Sequence, residues 1–156
     1  MTNLQIAKLY ISVTGNALTA ADLATYSAMD DATISSTIMA LNVPADLNAA
    51  YQAAFGRDAD ADGTTYWQGR LDAGTVTLAT LMDQLLDGAA AYPTDGTFAA
   101  EAAADVALTT NKASVALEIA ANNLTVAEAA TILNAVTADA ASTTTAATAI
   151  AATDTV

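Results

Sequence analysis

The sequence predicts an all-α protein, a compact multi-helix domain of short helices, and three observations predict it. Apolar residues recur at helical spacing over nearly the whole chain. No stretch shows the strict apolar–polar alternation of a half-buried strand. Hydrophobic residues make up 54% of the 156 positions, but much of that is alanine, which adds little buried area. The core is therefore expected to be thin helices packed closely, anchored by Leu, Ile, Val, Met and a few aromatics.

The elements follow in order. Leu4, Ala7, Lys8 and Ile11 share one face of a first helix, with Tyr10 and Val13 beside it. Thr19 can cap a second helix through Asp22, Leu23 and Tyr26. Asp31 or Thr33 starts a third, carrying Ile34, Ile38, Met39 and Leu41. Pro44 suits the first turn of a fourth, which runs through Leu47, Tyr51 and Phe55 and stops at Gly56. A fifth spans Gly63 to Asp72, ended by Gly74. Thr77 caps the apolar run Leu78, Leu81, Met82, Leu85 and Leu86, closed by Gly88. Asn111 to Ile119 forms another helix, residues 122–125 a turn, and Val126 to Val136 a further helix. From Ala138 the chain is Ala, Ser and Thr; it reads as a last helix packed through Ala147, Ile150 and Ala151, with a linker as the alternative.

The first half contains a degenerate internal repeat. Tyr10, Gly15 and Tyr26 mirror Tyr51, Gly56 and Tyr66, and an acidic turn then leads into an apolar helix in each copy. The unit is roughly forty residues long. Residues 1–92 are accordingly read as tandem helix-turn-helix repeats, 1–42 the degenerate copy and 43–92 the full one. Residues 93–156 form a C-terminal helical segment with an Ala/Thr-rich end.

Composition excludes several functions. Seventeen acidic residues against four basic ones give a formal charge of −13. Such a surface repels phosphate backbones, so nucleic acid is not an expected partner. Anionic membranes are disfavoured unless divalent cations bridge the two surfaces. With no Cys and no His, thiol catalysis, disulfides, Cys/His zinc sites and His-based proton transfer are all out of reach. Asp83, Asp87, Glu101, Asp105, Glu118 and Glu128 show no dyad spacing and read as solvated helix faces. The expectation is a non-enzyme. The N-terminus has no basic leader or apolar run of a signal peptide, and no segment is apolar and long enough to span a bilayer. A cytoplasmic protein or export without an N-terminal signal both fit, and the acidic, Ala/Thr-rich composition favours export to the cell surface.

Chemistry concentrates between Phe55 and Trp67. Asp58, Asp60 and Asp62 before Gly63 fit the first half of a calcium loop, with Thr64 next in the ligand series. Position twelve of that loop, however, is Gly69 rather than Glu. The alternative is an acidic capping turn, in which Asp60 or Asp62 caps the helix entered at Gly63. Arg57, Tyr66, Trp67 and Arg70 could form a sugar platform, since aromatic faces stack on pyranose rings and guanidinium forks bind acidic sugars. Alternatively, both aromatics are core anchors and Arg57 caps helix carbonyls.

The run Tyr51 to Gly74, centred on Gly56-Arg57, the acidic turn and Gly63-Thr64-Thr65-Tyr66-Trp67, resembles a helical-repeat family. It occurs in the N-terminal regions of bacterial S-layer proteins and RTX-type surface adhesins exported by type I systems. Lys8 to Gly15 looks like the first, weaker repeat of those N-termini, with Gly15-Asn16 in place of Gly-Arg. The resemblance implies a non-enzymatic all-α module that anchors a lattice to lipopolysaccharide O-antigen and assembles with copies of itself, with calcium important for assembly. Gly56, Arg57, Asp60, Gly63, Tyr66 and Trp67 match the motif, which in that family is chiefly structural. The alternatives are a passive interaction module of a secreted adhesin and a small EF-hand-like calcium-binding protein.

Overall fold

The computed structural model describes residues 1–153; residues 154–156, the end of the expected C-terminal segment, lie outside the described residues. Nine helices account for most of them, and no strand occurs among them. They are α1 (Asn3–Thr14), α2 (Ala20–Ser27), α3 (Asp31–Met39), α4 (Leu47–Phe55), α5 (Ala61–Asp72), α6 (Leu78–Ala91), α7 (Ala99–Ala121), α8 (Val126–Asn134) and α9 (Ala141–Thr153). The protein is all-α, as its periodicity predicts.

Short polar side chains set most of the helix starts. Thr19 accepts from the Asp22 amide while Asp22 reaches back to the Thr19 amide, a reciprocal cap that satisfies two otherwise orphaned donors. Thr2 with Gln5 and Thr125 with Glu128 repeat the device at α1 and α8. Asp30 caps α3 through the Thr33 amide.

Several boundaries differ from those the sequence suggests. Pro44 is not in the first turn of α4; it is buried ahead of it, and Asp46 takes the cap by accepting from the Ala49 amide at 2.8 Å. Leu41 lies beyond α3 and is 52% exposed. Helix α5 starts at Ala61 rather than Gly63, because Asp60 is its cap. Gly88 does not close α6, which continues to Ala91 and stops where Pro93 forces Tyr92 into an extended conformation. Helix α7 begins at Ala99, twelve residues before Asn111, because its alanine-rich first turns carry no strong apolar signal. Helix α9 exists, but it packs through Ala146 and Ile150 rather than Ala147 and Ala151.

The expected repeat finds local counterparts only. Gly15 and Gly56 both end a helix in the left-handed region, at φ 71° and 68°. At the same offset, Thr19 and Asp60 cap the next helix, and Tyr26 and Trp67 are buried. Tyr66, the expected counterpart of Tyr26, is exposed. Beyond this point α3 and α6 differ in length, 9 residues against 14.

Helix α7 is the organising element: it touches α1, α4, α6, α8 and α9. Ala7 on α1, Ala50 on α4, and Ala113 and Ala116 on α7 are fully buried. Small side chains at these positions let helix axes approach closely, which is how an alanine-rich chain can still reach core packing density. Large anchors such as Ile6, Leu9, Ile38, Leu81 and Leu85 fill the space between. Among the described residues, no helix is long and apolar enough to cross a membrane.

Candidate functional site

The site begins at the end of α4. Gly56 adopts φ 68°, a conformation that costs an L side chain about 1 kcal/mol or more, and its amide donates to the Gln52 carbonyl at 3.0 Å. That turn releases Arg57 across the molecule towards α7. There Arg57 Nε donates to Asp105 Oδ1 at 3.0 Å and Nη2 to Oδ2 at 2.6 Å, a two-pronged pair with a carboxylate only 4% exposed. Nη1 donates to the Asp58 carbonyl at 3.0 Å and more weakly to Asp60 Oδ2 at 3.4 Å. The guanidinium also lies 5.3 Å from the Tyr51 ring centre and 5.9 Å from that of Phe55, within cation–π range. Hydrogen bonding to Asp105 raises the already high pKa of Arg57, so the group is a permanent cation.

Three carboxylates follow Arg57 and each has a separate role. Asp58 Oδ1 accepts from Asn48 Nδ2 at 2.8 Å and Gln52 Nε2 at 2.7 Å, tying the turn back to α4. These bonds favour the charged form and hold its pKa below the ordinary carboxylate value. Asp60 Oδ1 accepts from the Gly63 amide at 2.7 Å, the cap of α5, while its other oxygen faces Arg57. Asp62 is exposed in the first turn of α5, where negative charge complements the helix dipole. Thr64 is exposed one turn further, its amide donating to the Asp60 carbonyl. Calcium takes six to eight oxygens from a loop that curls around it. Here the chain is already helical at Ala61, and no group of three or more carboxylates suited to a metal occurs among the described residues. Asp58 and Asp60 are thus held by separate partners, Asn48 and Gln52 for the first and the α5 amide and Arg57 for the second.

The aromatic pair divides its work. Trp67 is buried at 8% exposure, whereas Tyr66 is 55% exposed. Their rings meet edge to face at 4.9 Å. Gly88 of α6 makes room for the indole: a methyl group built there would come 2.9 Å from Cζ2 of Trp67. Arg70 Nη1 donates to the Tyr66 hydroxyl at 2.8 Å, and its Nε is buried with no hydrogen-bond partner.

These pieces enclose a cleft of about 430 Å³ between α4, α5, α6, the turn after α6 and α7. Both phenylalanines, the single tryptophan and three of the five tyrosines line it: Phe55, Phe98, Trp67, Tyr51, Tyr66 and Tyr92. Arg57, Asp60, Asp62 and Asp105 supply its polar edge. Of the sugar-platform residues expected from sequence, the structure brings Arg57, Tyr66 and Trp67 to the cleft and leaves Arg70 outside its lining. Of the calcium set, Asp60 and Asp62 line it, whereas Asp58 and Thr64 do not. The Tyr51 hydroxyl titrates above its ordinary value, first because it is buried and then because Asp60 is close.

Asp105 corrects the sequence reading outright: it is a buried partner and not a solvated helix acid. A signal for it existed. Asp105, Thr109, Ala113, Ala116 and Ala120 fall at helical spacing and form one buried stripe of α7. Tyr92 and Phe98 were missed because the cleft joins them to α5 only through tertiary packing.

Comparison of the chain with protein-family models, curated proteins and solved structures finds no match. The chemistry of the site therefore rests on its own geometry.

One consequence concerns pH. The folded-state pKa of Asp58 lies below its unfolded value, so its contribution to stability is present above the unfolded pKa and is lost as pH falls through the folded one. Carboxyl NMR titration should find Asp58 below the ordinary aspartate range, and the double variant N48A/Q52A should return it to that range. An unchanged Asp58 titration in the variant would contradict the assignment of those two donors.

Proposed function

We propose that this chain is a non-enzymatic structural module of a bacterial cell surface that holds a surface glycan in the aromatic cleft and associates with copies of itself. The observation that carries the reading is the gathering of six aromatic residues around one cleft edged by a paired arginine and carboxylates. Aromatic faces carry negative charge density that attracts the C–H edges of a sugar ring, and carboxylates accept hydrogen bonds from its hydroxyls. Tyr66, open to solvent over buried Trp67, is the natural stacking surface. Binding is favoured over hydrolysis because glycoside cleavage uses a pair of carboxyl groups as acid and base or nucleophile. In the cleft, Asp105 and Asp60 are engaged by Arg57 and the α5 cap, leaving Asp62 alone. The resemblance to S-layer and adhesin N-termini points the same way, towards lipopolysaccharide as the glycan and export without an N-terminal signal.

Calcium enters this reading between copies and not within the 58–64 turn. A charge of −13 opposes association of identical subunits, and divalent ions shared by facing carboxylates would relieve it.

Trp67 is the only tryptophan, so its emission reports directly on the cleft. Titration with lipopolysaccharide O-polysaccharide should shift that emission, and Tyr66→Ala should weaken binding roughly tenfold, the loss of about 1.4 kcal/mol of stacking. No shift at millimolar polysaccharide, or full binding by the variant, would defeat the glycan reading and leave a passive adhesin module. In sedimentation, calcium should move the chain to larger species and chelator should reverse the change. An unchanged monomer in both conditions would remove self-assembly from the account.

A further inference from the structure

The chain carries four basic side chains, and the two arginines are engaged: Arg57 by Asp105 and Asp60, Arg70 by the Tyr66 hydroxyl. The N-terminal amine pairs with Asp31. The remaining two are the only lysines, Lys8 on α1 and Lys112 on α7. Neither lysine forms an ion pair or hydrogen bond among the described residues. Both line one small cavity of about 40 Å³, and no carboxylate lines it with them. In a protein with seventeen acids this is a marked segregation: among the described residues, the two cations that make neither an ion pair nor a hydrogen bond share one recess that no carboxylate lines.

Three further polar residues line the same cavity: Ser12, 3% exposed, Thr109, whose hydroxyl donates to the Asp105 carbonyl at 2.9 Å, and Asn134, exposed at the end of α8. The Ser12 and Asn134 side chains make no hydrogen bond within the described protein. The Ser12 hydroxyl keeps its hydrogen-bonding capacity free at the wall of a polar recess, a place for a ligand or bound solvent. Burial also lowers the pKa of both lysines, the signature of ammonium groups desolvated without compensation.

We infer that Lys8, Lys112, Ser12 and Asn134 form a binding site for a single small oxyanion group, a phosphate or a carboxylate. Two ammonium groups, a hydroxyl and an amide supply hydrogen-bond donors and positive charge, which is what the oxygens of such a group require. At about 40 Å³ the recess has room for roughly three or four waters, and so for the oxygens of one charged group and nothing larger. The site shares no residue with the aromatic cleft, so it stands or falls independently of glycan binding there.

The test uses the full chain at low ionic strength, where surface screening is weakest. Inorganic phosphate and glucuronate are titrated separately, with the lysine side-chain signals and the Ser12 amide followed by NMR. The expected result is saturable shifts at Lys8, Lys112 and Ser12 with at least one of the two probes. Which probe binds tells free phosphate from a sugar-borne carboxylate. Lys8→Gln and Lys112→Gln should each weaken that binding roughly tenfold, the loss of one charge-assisted contact, while thermal unfolding confirms that each variant is folded. Shifts absent with both probes, or affinity unchanged in both folded variants, would overturn the site.

Discussion

One guanidinium ties this fold together at its most chemical point. Arg57 contacts two rings of α4, the carboxylate that caps α5 and the buried carboxylate of α7, so three helices are referred to a single side chain. Asp105, 48 positions further along the chain, cannot be solvated where it sits and needs a fixed cation. Charge pairs of this kind gain little over an apolar replacement, yet breaking one by removing a single partner is costly, because the other charge is stranded. The pair is therefore better understood as a device for position than as a source of net stability. It sets where the 56–60 turn lies against α7, and that in turn sets the opening of the aromatic cleft.

The rest of the architecture makes such a cleft possible. A core built largely on alanine brings helices close and leaves few places where large rings fit. The chain collects most of its aromatics in one of those places, and Gly88 gives up a side chain so that Trp67 can lie against α6. Charge is arranged with the same economy. Acids are spread over helix faces and caps, the arginines are held at the cleft and beside it, and the lysines sit apart in their own recess. A strongly acidic exterior with localised positive points discriminates sharply between ligands: polyanions are repelled at large, and a small anionic group can be held only where the cations stand.

Much of this was legible in the sequence. The helices from Asn3 to Asp72 follow from their apolar spacing and caps, with boundaries displaced by a residue or two where competing caps stood side by side, as at Pro44 and Asp46. The first half of α7 was not legible, because residues 99–104 are alanine and glutamate only and carry no apolar stripe. The Gly56–Trp67 stretch could be recognised as the chemical centre from its Arg, Asp and aromatic content. Its partners could not: helical spacing places Asp105 on the buried stripe of α7 but does not pair it with Arg57, and Tyr92 and Phe98 reach the cleft only through tertiary packing. The alternating aspartates show the converse limit. Their spacing suits a loop, but once Asp60 caps a helix at Ala61 the alternation of an extended chain is gone, and the three side chains part.

The most direct measurement of the account is a double-mutant cycle between Arg57 and Asp105. Arg57→Met, Asp105→Leu and the double variant would be compared by urea unfolding and by Trp67 emission. The account predicts that Arg57→Met costs about 2–4 kcal/mol and alters the emission, and that the double variant recovers much of the loss, giving a coupling of at least about 1.5 kcal/mol. Losses that add to within about 0.5 kcal/mol, with Trp67 emission unchanged throughout, would contradict it: the pair would then be a bystander, and the cleft would owe its form to packing alone.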